Sequence, residues 1–164
     1  PWVITEQALA PFRAALMPRD PAVPQNHAYL TDSKNQEQGA LDIQLEVLLS
    51  TEKMRAQQLP AHRICSSNTQ HLYWTPAQLI AHHTIGGCNL QAGDLLGSGT
   101  ISSPEPSGFG SLLELTEGGK KAINLPSGEQ RYFLEDGDEI TLRAFTHAHP
   151  YRIGFGECTA RIQS

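Results

Sequence analysis

The sequence predicts one mostly β domain with one or two short helices, folded as a mixed sandwich or roll. Three observations carry that reading. Residues 41 to 50, LDIQLEVLLS, alternate apolar and polar side chains with the period of a strand. Beyond residue 90, short apolar segments recur between Gly-Asp, Gly-Gly, Ser-Gly and Asp-Gly turns. One segment, residues 75 to 87, carries a full set of helix signals. The 164 residues suffice for a single domain with a sizeable core.

Each element has its own warrant. In PWVITEQALAPFRAALM, residues 1 to 17, Thr5 can cap a helix on which Leu9 and Phe12 lie three apart. Pro11 keeps that helix short or irregular. Residues 18 to 40 hold Pro18, Pro21, Pro24 and Gly39 in a polar setting and read as a long loop. A loop of that length is often functional or an interface arm. Over 41 to 50, Leu41, Ile43, Leu45 and Val47 share one face against Asp42, Gln44 and Glu46. AHRICSSN, residues 61 to 68, is a weaker partner strand anchored by Ile64, joined to the first by a meander around the polar stretch 50 to 60.

In TPAQLIAHHTIGG, residues 75 to 87, Thr75 and Gln78 form a capping box and Pro76 takes the first helical position. Trp74 and Leu79 are placed for a hydrophobic staple, and Gly86 or Gly87 for a left-handed stop. After residue 90, DLLGSGTIS, SLLELT, KKAINL, QRYFL, EITLRAF and RIGFGECTARI read as strands. GDLL (93 to 96) and GDEI (137 to 140) look like similar turn-to-strand entries.

Composition narrows the function. The net charge is -5 and no Lys/Arg cluster exceeds Lys120-Lys121, so a nucleic-acid partner is not expected. Apolar runs stop at three or four residues, far below a bilayer span, so no membrane partner is expected either. Cys65, Cys88 and Cys158 are odd in number and form no CxxC. Free thiols in a reducing, cytoplasmic setting are the simpler reading.

Few residues offer chemistry. Gly97, Gly99, Gly108 and Gly110 surround Thr100 in sequence. They fit a backbone lining a small polar pocket, with Thr100 offering its hydroxyl, or the bulges and turns of a tightly curled sheet. Glu114, between Leu113 and Leu115, points away from both leucines if the segment is a strand. There it faces water or holds a histidine in one tautomer. His83 reads as a half-buried helix residue without an identified partner. His147 and His149 would share a strand face, but THAHPY resembles a turn. Glu135, Asp136, Asp138 and Glu139 lack calcium-loop spacing and read as a solvated turn. Cys65 and Cys88 read as small buried residues. No phosphate loop, HExxH or GxSxG is present.

Longer strings add a resemblance. YWTPAQLIAHHTIGGCNLQAGDLLGSGTISSPEPSGFGSLLELTEGG (73 to 119), LEDGDEITL (134 to 142), YRIGFGEC (151 to 158) and PWVITEQALAPF (1 to 12) resemble the fumarylacetoacetate hydrolase family. The family's GDxxxxGT core is matched by Gly93-Asp94 through Gly99-Thr100. The resemblance implies a single truncated piece, residues 1 to 164, of the family's C-terminal catalytic domain, a mixed β-sandwich roll. It implies cleavage of the carbon–carbon bond of 4-fumarylacetoacetate to fumarate and acetoacetate, in tyrosine and phenylalanine breakdown. Glu114 matches the carboxylate that holds the catalytic histidine, and Thr100 matches the substrate-binding threonine.

The resemblance also implies Mg2+ or Ca2+ in the full-length enzyme, none bound by this piece, and a homodimer acting on a small diketo acid. The family's catalytic histidine, metal carboxylates and oxyanion-stabilising Arg, Gln and Lys all precede the stretch that resembles Pro1. Residues 1 to 164 alone are therefore expected to be inactive. A related keto-acid hydrolysis or decarboxylation, and a non-enzymatic structural role, are the competing expectations.

Overall fold

In the computed structural model, which describes residues 3–18 and 27–163, the chain is β-rich with several short helices. Helix α1 (Glu6–Leu9) starts at Thr5, whose hydroxyl accepts the Ala8 N–H, and runs into a 3-10 turn that buries Phe12. Strand β1 (Arg13–Ala14) pairs with β2 (Ala40–Leu41). The long loop expected over 18 to 40 carries structure at its end: a 3-10 turn at Ala28–Leu30 and α2 (Ser33–Gln38), capped by Asp32. Its middle, residues 19 to 26, lies outside the described residues.

The alternation over 41 to 50 becomes β3 (Gln44–Ser50). The polar stretch after it is not irregular. Thr51 caps α3 (Glu52–Ala56), which sends Met54 fully into the core. Next come β4 (His62–Asn68) and α4 (Pro76–Thr84). Helix α4 has the capping box expected of Thr75 and Gln78, and Gly87 closes it at φ 92°, its N–H bonding to the Thr84 carbonyl. The second half supplies α5 (Leu112–Leu115), β5 (Ile123–Asn124), β6 (Gln130–Arg131), β7 (Glu139–Ala148) and β8 (Tyr151–Arg161).

One antiparallel sheet, ordered β4-β3-β7-β8, organises these pieces; β1-β2 and β5-β6 form two small sheets. The register aligns Leu45 with Ala144, Val47 with Leu142 and Leu49 with Ile140, so these six share one face. At one end of that face Leu49, Met54 and Leu125 form the core, with Leu59, Ile64, Ile123, Leu134 and Ile140 packed around them. The opposite face is polar: Glu46 is buried between Arg63 and Arg143. No helix among the described residues is long and apolar enough to cross a membrane.

Several expectations need correction. The mostly β class holds, but among the described residues five short α-helices form rather than one or two. DLLGSGTIS, residues 94 to 102, forms no strand, so GDLL is not the strand entry that GDEI is. SLLELT is helical at its centre. The turn around Asp138 is not fully solvated: Asp138 is fully buried, accepting from the Arg131 guanidinium at 2.9 and 3.1 Å and from the Glu135 N–H.

Candidate active site

The glycine-rich segment folds back on itself over the apolar face of the sheet. Ser103 N–H bonds to the Gly108 carbonyl at 2.9 Å and pins the two limbs together. A side chain at Gly108 would meet Ser103 Oγ at 1.8 Å and the Ser66 carbonyl oxygen of β4 at 2.9 Å. At Gly110 it would meet Thr100 Cγ2 at 2.6 Å and the Ile101 carbonyl oxygen at 2.8 Å. These two glycines are contact positions: the limbs approach too closely for a Cβ. Thr100 therefore lies directly against Gly110, with its side chain exposed to solvent.

Glu114 sits on α5, not on a strand, and is exposed beside Leu113. Ser111 caps that helix, its Oγ accepting the Glu114 N–H at 3.2 Å. The carboxylate is held by two hydroxyls. Ser102 Oγ donates toward Oε1 at 2.9 Å and Oε2 at 2.8 Å, and Ser111 Oγ donates to Oε2 at 3.0 Å. Ser102 Oγ in turn accepts the Gly110 N–H at 3.1 Å. Thr100 and Glu114 are thus brought to one small surface through Gly110 and Ser102. Cys65, on β4, reports the same proximity: burial pushes its thiol up first, and the charge of Glu114 adds to it. Neither Ser102 nor Ser111 was singled out from the sequence. The Ser-x-x-Glu spacing of a helix start, Ser111 to Glu114, was the available signal.

Beside these residues an open groove of about 430 Å³ lies between the glycine-rich segment and the sheet. Its walls include Val47, Cys65, Gly110, Leu142 and Phe155, so it is mostly apolar, unlike the small polar pocket that is one of the two readings of the glycines. Gly99 and Gly110 line it, whereas Thr100 stands outside.

The histidines take other roles. His83 is exposed, with Nε2 3.1 Å from Cys88 Sγ; neither residue is buried as expected. His82 Nδ1 meets the Tyr29 hydroxyl at 2.9 Å. His147 is the last residue but one of β7, and His149 sits in the turn before β8. Among the described residues no histidine hydrogen-bonds to Glu114, whose partners are Ser102 and Ser111. Nor do three His, Cys, Asp or Glu side chains come together as a cation site among them. The residues described do not fit a divalent ion.

The profile described as fumarylacetoacetate (FAA) hydrolase C-terminal matches residues 1–163. The chain belongs to the fumarylacetoacetate hydrolase family. Over 162 residues it is 44% identical to human fumarylacetoacetase, covering 99% of this chain and 36% of that protein. Fumarylacetoacetases of Dictyostelium discoideum (42% over 164 residues) and Arabidopsis thaliana (44% over 167 residues) are covered to the same two extents. The chain thus spans about a third of the length of these relatives and corresponds to the family's C-terminal part.

Proposed function

We propose that this chain is the C-terminal part of a metal-dependent hydrolase that cleaves 4-fumarylacetoacetate to fumarate and acetoacetate. The observation that carries the reading is similarity over 99% of the chain, at 42–44% identity, to fumarylacetoacetases of animal, slime mould and plant origin. The geometry is consistent with it, since Thr100 lies against Gly110, and Gly110 is bonded to Ser102, which donates to Glu114.

In this reading a histidine outside the chain takes a proton from water, which attacks a carbonyl. The carbon–carbon bond breaks, its electron pair passing to the acetoacetate fragment, which is then protonated. Glu114 orients that imidazole and stabilises it when cationic. The Thr100 hydroxyl hydrogen-bonds to substrate and limits its rotation. Magnesium or calcium would be held by residues outside this chain. The chain alone is therefore proposed to be inactive, and the whole protein to be a cytoplasmic homodimer.

The test is direct. Full-length protein should release fumarate and acetoacetate in equal amounts, lose the activity on chelation and regain it with magnesium or calcium. Residues 1 to 164 alone should release neither. Absence of product across a panel of divalent ions would sink the assignment. Carbon dioxide release from a related keto acid would replace it with decarboxylation.

A further inference from the structure

We infer that Ser102 is a positioning residue for Glu114, and that it leaves Oε1 as the carboxylate atom that meets the catalytic imidazole; this rests on the reading of Glu114 proposed above. A serine hydroxyl carries one proton and two lone pairs. The Gly110 N–H occupies a lone pair of Ser102 Oγ at 3.1 Å, so the hydroxyl proton is turned toward the carboxylate, 2.8 to 2.9 Å away. Ser111 repeats the device. Its oxygen accepts the Glu114 N–H at 3.2 Å, and its proton goes to Oε2 at 3.0 Å.

The two donors are unequal in where they act. Oε2 receives both hydroxyls, whereas Oε1 receives only a share of one. A carboxylate oxygen accepts about two hydrogen bonds. Oε2 is then fully engaged, and Oε1 keeps the lone pair that a single imidazole N–H requires. An exposed glutamate would otherwise spread over several rotamers. Here its plane is fixed before any partner arrives, as orientation-dependent catalysis demands.

Ser102 also stands two residues after Thr100. Its bond to Gly110 ties the segment that carries Thr100 to the carboxylate, so a change at Ser102 reaches Glu114 without removing either residue of the proposed site.

The experiment uses full-length protein and compares Ser102→Ala, Ser102→Thr and Glu114→Gln in fumarate release, with melting temperatures. Ser102→Ala should lower kcat about tenfold, in the range of one lost hydrogen bond to a charged group. KM should stay within about twofold and the melt nearly unchanged, because positioning acts on the chemical step. Ser102→Thr keeps the hydroxyl and should restore most of the rate. If Ser102→Ala keeps near-full kcat while Glu114→Gln is strongly impaired, the carboxylate works without the clamp and the inference falls. It also falls if Ser102→Ala melts early and the threonine variant fares no better, since Ser102 is then structural. Full activity in Glu114→Gln would instead overturn the underlying reading of Glu114, and this one with it.

Discussion

Glu46 is a carboxylate with 6% exposure whose two oxygens meet Arg63 and Arg143, each at 2.7 Å. Burial pushes its proton affinity up, but the hydrogen bonds and charges of the two arginines outweigh that and hold it below the ordinary value of 4.5. A depressed folded value means stability that is complete above about pH 4.5 and lost as pH falls through the folded value. Glu129 behaves alike: hydrogen bonds from Ser127 and Thr51 lower it, burial opposes them, and Arg131 adds to the lowering. Acidification below about pH 4.5 should therefore depress the melting temperature of the full-length protein. Glu46→Gln should cost about 1–2 kcal/mol at neutral pH, since both arginines are half-exposed and can turn to water. That deficit should vanish in strong acid, and a deficit independent of pH would show that the pair is not what stabilises. Thr100 makes a different demand. It is exposed and supports no core, so Thr100→Val should leave the melt intact and raise KM by about three- to tenfold, the value of one neutral hydrogen bond. An unchanged KM would remove Thr100 from the substrate.

Elements were legible where several local signals agreed. Helix α4 has a capping box, a proline at its start and glycines at its end, and it forms where those signals place it. β3 was read from alternation alone and is an inner strand of the sheet, paired on both sides. SLLELT failed because so short an apolar run, six residues with its flanks, satisfies a strand and a helix equally; the serine cap decides. DLLGSGTIS failed for another reason. A strand needs a neighbour to bond, and among the described residues none pairs with it. What that segment does have is close packing, which gives Gly110 its own test. In Gly110→Ala the new Cβ would press Thr100 Cγ2 and also the rigid Ile101 carbonyl. Relief requires moving Thr100 and Ser102 together. The substitution should cost about 1–3 kcal/mol and impair both binding and turnover, read from KM, kcat and denaturant unfolding of full-length protein. A variant with normal kinetics would mean that the limbs separate at no cost to the site.

At the scale of the molecule, the candidate site was legible only as two points, Thr100 and Glu114. The resemblance supplied their roles, because neither glycine content nor a glutamate between leucines distinguishes a site from a surface. The hydroxyl clamp between them depends on a fold-back that no local pattern encodes. Exposure raises a final question. Leu95 is 97% exposed, Ile85 61%, Leu96 51% and Ile80 42%, all on α4 or the segment that follows it. Exposed apolar side chains close together in sequence are candidates for a surface covered by a partner. Among the described residues β4 and β8 are also edge strands, each paired with a strand on one side only, a second incentive to associate. Residues 1 to 164 expressed alone should therefore form a dimer or larger species at micromolar concentration, measured by light scattering. Leu95 is almost fully exposed and Leu96 half-exposed, so Leu95→Ser with Leu96→Ser should lower the melt only slightly. The same pair should shift the population toward monomer if these leucines carry the contact. A chain that is monomeric from the outset would refute the expected association. A doubly substituted chain that still assembles would move the contact to the sheet edges, where a proline in β8 could be tried next.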